Sequence, residues 1–189
     1  MRLFVALELA APVCLEIGAW LERIRDRFPS ARWVDPTRLH LTLRFLSEVA
    51  DRELSELRAG LRSACGKAEV LSLAVGGGGA FPGVQRASVL WLGVATDGDL
   101  KGVHELASLA VTEALGVEAE RRVFHAHVTL ARCRPAWRRA RVECWLETVP
   151  ARFGAAFAVT EAVLMRSELG SGGPRYSVVD RFPLGETGA

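Results

Sequence analysis

Along the chain, short apolar runs suited to strands alternate with longer stretches of helical spacing, and the alternation happens twice. Leu3 to Leu9 reads as a buried strand. Pro12 then opens a helix over Val13 to Phe28, with Leu15, Ala19, Leu21 and Ile24 near helical spacing and Pro29 at its end. Arg38 to Leu46 reads as a strand, and Asp51 to Cys65 as an amphipathic helix with Leu54, Leu57 and Leu61 along one face. Val70 to Val75 and Ser88 to Val94 are strands punctuated by Gly76 to Gly79 and by Phe81-Pro82-Gly83, which read as turns. A helix from Asp99 to Leu115, with Val103, Leu106, Leu109 and Ala110 inward, precedes a strand from Phe124 to Cys133. Pro135-Ala136-Trp137 opens a helix to about Thr148. Phe153 to Met165 and Tyr176 to Phe182 close the chain as two strands joined by Gly170-Ser171-Gly172-Gly173-Pro174.

Strand, helix, strand and helix thus recur in both halves, as an internal duplication produces, and no hinge-like composition separates them. The expectation is one α+β domain over residues 1–189. It has two lobes, two antiparallel sheets facing a central cleft, helices packed outside, and a pseudo-twofold relation between the halves. A repeat falls inside this frame. His40-Leu41-Thr42-Leu43 and His127-Val128-Thr129-Leu130 are one His-x-Thr-Leu tetrapeptide written twice, each on a predicted strand. Side chains alternate faces along a strand, so each His shares a face with its Thr while the apolar pair points back. Two such faces across a cleft offer two imidazoles and two hydroxyls. An imidazole titrates near neutrality, so the pair can hold one neutral and one protonated member. Phosphodiester cleavage needs those two states, a base for the incoming water and an acid for the departing oxygen. The threonine hydroxyls can donate to non-bridging phosphate oxygens. The scheme requires no metal.

Composition narrows the picture. The chain has 189 residues, half of them apolar, and a formal charge of +2, so no strong overall field marks a nucleic-acid partner. Only Lys67 and Lys101 are lysines among the 24 basic residues. Arginine grips phosphate in a bidentate fork, but such a bias in an Ala- and Gly-rich chain follows genome composition more often. Cys14, Cys65, Cys133 and Cys144 form no C-x-x-C pair, which argues against a zinc site, a redox motif or a disulfide framework. The apolar run at the start is too short for a signal peptide, and nothing approaches the roughly 20 apolar residues of a membrane span. A cytoplasmic monomer without a cofactor is expected.

Longer stretches carry a resemblance. His40-Leu41-Thr42-Leu43-Arg44-Phe45-Leu46 and Phe124-His125-Ala126-His127-Val128-Thr129-Leu130-Ala131-Arg132 resemble the two signatures of the two-histidine phosphoesterases. Arg2 to Leu7, Phe81-Pro82, Leu90 to Val94, Arg166 to Leu169, Tyr176 and Arg181 to Leu184 narrow the likeness to the RNA 2′,3′-cyclic phosphodiesterases, also called 2′-5′ RNA ligases. The resemblance implies that His40 is the proton donor, His127 the proton acceptor, and Thr42 and Thr129 the phosphate holders. Local chemistry alone leaves the two histidines interchangeable. The product implied is an RNA 2′-phosphate, with 2′-5′ ligation as the minor reverse reaction and RNA ends as the partner. Ala126 stands where many relatives have proline. Ala87-Ser88 replaces a common proline–arginine pair, for which Arg86 is the nearest substitute. The alternatives are a relative acting on small cyclic nucleotides or 2′-5′ oligonucleotides, and a non-catalytic RNA-end-binding protein.

Other residues are weaker candidates. Arg132, five residues past His127, turns away from the cleft under strict alternation and contacts phosphate only if the strand ends or bulges there. Arg134, Arg138, Arg139 and Arg141 continue into the next predicted helix, where a solvated face competes with an RNA-tracking role. His125 shares a face with His127, but the spacing does not suggest a metal site. His104 is expected on a helix surface. Phe45, Phe81, Phe124 and Tyr176 are expected in the core rather than stacked on a base. The glycine run lacks the Lys-Ser/Thr of a phosphate-binding loop.

Overall fold

A computed structural model describes residues 1–170 and 173–185. Its strands are β1 (Arg2–Glu8), β2 (Ala31–Trp33), β3 (His40–Glu48), β4 (Leu71–Phe81), β5 (Arg86–Thr96), β6 (His127–Arg138), β7 (Phe153–Val159), β8 (Glu161–Gly170) and β9 (Gly173–Pro183). Its helices are α1 (Ala11–Ile24), α2 (Leu54–Gly66), α3 (Leu100–Leu115) and α4 (Arg139–Leu146). The strands pair antiparallel in the order β7-β4-β5-β6-β3-β1-β8-β9, with β2 on β6. The two expected sheets are therefore halves of one curled sheet. They meet at β3 and β6, the two motif strands, through the residue pair Leu41↔Val128.

Helices cover one face of the sheet. On the β3-β1-β8-β9 side, α2 and α3 bury Leu57, Leu61, Val103 and Ala107 against Leu3, Val5, Leu7 and Leu41. On the other side, α1 and α4 bury Ile17, Trp20, Val142 and Trp145 against Leu90, Leu92, Val128 and Leu130. The opposite face is the open one, where Phe4, Ala6, Val163 and Met165 form a smaller cluster with Tyr176.

Several local expectations are corrected. In α1 the inward residues are Val13, Ile17, Trp20, Leu21 and Ile24, while Leu15 is 73% exposed and Ala19 is exposed. The stripe with the larger side chains wins the core, and the Trp20 indole also donates to the Thr148 carbonyl at 2.9 Å. Leu109, expected inward on α3, is exposed. Pro135 to Trp137 continue β6 rather than open a helix, because Ala87 pairs with Trp137 and the Trp137 indole is held by Ser30 at 2.8 Å. The single strand expected over Phe153 to Met165 is two, β7 and β8. β2 went unpredicted, being three residues long. Of the expected 170–174 connection, Ser171 and Gly172 lie outside the described residues.

The glycine run is strand, not turn. Gly76 to Gly79 sit within β4, with a bulge at Gly77, whose φ of 62° suits glycine. A Cβ at Gly79 would overlap the Trp91 ring, and one at Gly76 would overlap the Ala151 carbonyl. Small residues are needed because neighbours press on both sides of the strand. Gly79→Ala is expected to cost about 1–3 kcal/mol, seen as a Tm lower by roughly 2–10 °C. An unchanged Tm would show that Trp91 yields freely.

Candidate active site

The pair Leu41↔Val128 organises the site. Both residues are buried on the helix side, at 1% and 0% exposure. Alternation then puts His40, Thr42, His127 and Thr129, all half-buried, on the open face. Carried one residue to either side, the antiparallel register sets His40 across from Thr129 and His127 across from Thr42. Each imidazole therefore faces the hydroxyl of the other motif.

Both rings are held in the same way. His40 Nδ1 lies 2.8 Å from the Arg38 carbonyl and His127 Nδ1 2.6 Å from the His125 carbonyl, each two residues back. A carbonyl only accepts, so in both cases Nδ1–H donates and Nε2 is left for the cleft. Aromatic rings fix the planes. His40 packs on Phe4 at 4.8 Å and edge-on to Tyr176 at 5.2 Å. His127 stands edge-on to Phe81 at 4.9 Å, with His125 at 6.1 Å and Trp91 at 6.2 Å. Burial pushes both imidazoles below the ordinary 6.5. For His40 the Arg38 carbonyl opposes this, a charge on His127 adds to it, and Glu8 again opposes it. For His127 the His125 carbonyl opposes it and a charge on His125 adds to it.

Past each motif the strand bulges. The β1–β3 register slips opposite Leu43, so Leu43 and Arg44 are both buried and Phe45 returns to the open face. The β5–β6 register slips opposite Leu130, so Leu130 and Ala131 are both buried and Arg132 returns likewise. The bulge that Arg132 requires is present. Phe45 and Arg132, each five residues past a histidine, line one cleft of about 520 Å³ with Thr42, Phe81, His127 and Thr129.

Other residues settle differently from the sequence reading. His104 is buried, not on the surface. Its Nδ1 donates to the Leu43 carbonyl at 2.8 Å, and its ring stacks on Phe124 at 4.0 Å, bracing the first bulge from behind. Its place was legible, since His104 lies on the α3 stripe with Leu100, Ala107 and Val111. Phe45 is 67% exposed, and Phe81, Phe124 and Tyr176 are half-buried beside the cleft or against His40, so none is an ordinary core residue. Arg44, given no role from sequence, is buried and pairs with Glu120 at 2.9 Å while donating to the Glu118 carbonyl, which ties the segment before β6 to the bulge. His125 packs on Trp91 at 4.6 Å. Among the described residues no three His, Cys, Asp or Glu side chains group as metal ligands. Burial pushes the Cys133 thiol, next to Arg132, up to about 11, which suits it to packing rather than attack. Among the described residues no helix is long and apolar enough to cross a membrane.

The cleft thus offers the His127 imidazole, two hydroxyls and one guanidinium around a space that admits a phosphate diester, while His40, one residue before the Leu41↔Val128 pair, is not among its lining residues. Comparisons with known proteins agree with that chemistry. The model of the 2′-5′ RNA ligase superfamily matches residues 14–171. An RNA 2′,3′-cyclic phosphodiesterase of Thermus thermophilus is 35% identical over 196 residues, covering 100% of this chain and 93% of that protein. One from Aquifex aeolicus is 31% identical over 177 residues, covering 90% of each. Among solved structures, Escherichia coli LigT complexed with 3′-AMP superposes with a TM-score of 0.72 at 30% identity, covering 97% of each chain.

Proposed function

The chain belongs to the 2′-5′ RNA ligase superfamily, and from that membership and its crossed His–Thr motifs we infer that it is an RNA 2′,3′-cyclic phosphodiesterase. The observation that supports the reading is the Leu41↔Val128 pair, whose register, extended one residue each way, puts each imidazole opposite the other motif's threonine, with both Nδ1 atoms engaged by backbone carbonyls. Water attacks the cyclic phosphorus and gives its proton to His127 Nε2. The bond from phosphorus to the 3′ oxygen breaks, and His40 Nε2–H protonates that oxygen. An RNA 2′-phosphate and a free 3′-hydroxyl leave. Thr42, Thr129 and Arg132 donate to the non-bridging oxygens as charge builds there. Both proton transfers belong to imidazoles, so the scheme draws on no metal.

The division of labour itself follows the family resemblance. Burial, the largest cause, disfavours a proton on both rings; of the lesser charge effects, one on His125 adds to this at His127, while at His40 one on His127 adds to it and Glu8 opposes it. With a 5′-hydroxyl RNA end in place of water as the nucleophile, the same attack on the cyclic phosphorus, with the bond to the 3′ oxygen breaking, forms a 2′-5′ linkage. Water is the more concentrated nucleophile, so hydrolysis prevails. We propose that a single two-lobed domain carries the whole site, works as a monomer and acts in the cytoplasm.

The reading is tested with a dinucleotide ending in a 2′,3′-cyclic phosphate, set beside a 2′-5′-linked dinucleotide and a small 3′,5′-cyclic nucleotide. Turnover confined to the cyclic end is expected. Preference for either comparison substrate favours another activity of the superfamily, and tight binding without turnover favours an end-binding protein. The pH dependence is a second check. The base must be neutral and the acid protonated, so kcat/KM is expected to be bell-shaped, with limbs belonging to the coupled pair. Because both groups titrate below 6.5 in the free protein, both limbs lie on the acid side of an ordinary imidazole. A flat profile between pH 5 and 8, the range in which histidine titrates, would exclude the imidazole pair.

A further inference from the structure

The basic run after the second motif does not stay together. Arg139 pairs with Glu143 at 2.6 Å, and Arg141 lies 4.8 Å over the Trp137 ring. Arg134 and Arg138 instead belong to β6, where Cys133 and Trp137 turn into the core and the two arginines turn out, exposed. The neighbouring strands add to them. Arg32 on β2 is the direct partner of Arg132, and Arg86 on β5 is the direct partner of Arg138. Like charges directly opposite on a sheet repel. Even so, among the described residues none of these five arginines forms an ion pair with a carboxylate.

The row lies on the open face and begins at the phosphate site. His127, Thr129 and Arg132 share that face, and Arg138 lies further along the strand; its partner Arg86 is three β5 residues from Val89, the partner of Arg132, on the order of 10 Å away. A polyanion with its end in the cleft has its next charges over this row. We propose that the face of β6 with Arg86 and Arg32 is a track for the phosphates of single-stranded RNA upstream of the cyclic end. The proposal rests on the function inferred above and makes the substrate an oligomer rather than a terminal nucleotide. Two uncompensated arginine pairs are then the electrostatic strain that bound RNA relieves. Neutralising phosphates releases counterions, so the track has a salt signature of about 0.7 in log K against log salt for each contact on a single strand.

The full chain and its R134A/R138A variant are assayed on a dinucleotide and a hexanucleotide of one sequence, both ending in a 2′,3′-cyclic phosphate, between about 50 and 200 mM salt. For the native chain the hexanucleotide is expected to show the lower KM and the steeper salt dependence. The variant is expected to raise the hexanucleotide KM about tenfold and to lose about 1.4 from its salt slope, with the dinucleotide KM and kcat within twofold of native. The dinucleotide serves as the control for folding. Equal KM and equal slopes for the two native substrates overturn the track while leaving the cyclic phosphodiesterase standing. An unchanged hexanucleotide KM in the variant does the same. Failure to hydrolyse either substrate overturns the reading on which the track rests.

Discussion

His127→Ala is expected to lower kcat/KM on an RNA cyclic phosphate by about 10²- to 10⁴-fold, the range for losing a positioned acid or base. His40→Ala should lose a comparable amount, because each histidine handles one of the two proton transfers. The two variants part company when the leaving group changes. A phosphodiester that expels p-nitrophenolate needs no acid, since that anion departs without a proton. His40→Ala should recover most of its rate on such a substrate and His127→Ala should not. The opposite result exchanges the roles and contradicts the division of labour that follows from the family resemblance. Equal recovery in both variants would mean that neither ring is dedicated to the leaving oxygen. Neither substitution should affect folding strongly, because both rings sit half-buried on the open face.

Arg132→Ala is the second large effect. A hydrogen bond to a charged group is worth about 1.5–3 kcal/mol, or about 10- to 100-fold in kcat/KM. Lysine should restore only part of this, since it lacks the planar fork that matches two phosphate oxygens. A loss mainly in kcat would mean that Arg132 meets charge developing in the transition state, and a loss mainly in KM that it holds the ground state. Full activity in Arg132→Ala would show that the bulge in β6 serves the fold alone.

Much of this site was legible in the chain, because strand geometry has a strict period of two. Once His40 and Thr42 are placed on a strand they must share a face, and the same holds for His127 and Thr129. The pairing of the two motif strands is a long-range fact that local pattern does not encode. It took the structure to show that they meet at the Leu41↔Val128 pair, from which alternation sets each histidine opposite the other threonine. The bulges mark a similar boundary. Leu43-Arg44 and Leu130-Ala131 break the alternation, but consecutive inward residues also occur where a strand simply ends, and Arg44 gives no apolar signal at all. Phe45 was expected in the core for that reason and is instead delivered to the cleft.

The errors elsewhere have physical causes of the same kind. Glycines suit turns by backbone freedom and suit crowded strands by lacking a side chain, and only the neighbours of Gly76 and Gly79 decide between these. Pro135 starts helices readily, but Trp137 had a core site and an indole partner waiting on the sheet. In α1 the pattern admitted two stripes, and the one carrying Ile17 and Trp20 buries more surface than the one carrying Leu15 and Ala19. His104 shows the converse. Its spacing placed it on the buried stripe of α3, and its polarity argued against burial until the Leu43 carbonyl supplied a partner.

The most direct single measurement is the identity of the phosphorus product formed by the purified chain, in the presence of a chelator, from an RNA ending in a 2′,3′-cyclic phosphate. Phosphorus NMR distinguishes the possible products. The inferred activity predicts a 2′-phosphomonoester as the sole product, and the histidine pair predicts that it forms at an undiminished rate in chelator. A 3′-phosphomonoester, or no turnover of an RNA that the chain demonstrably binds, would contradict the account.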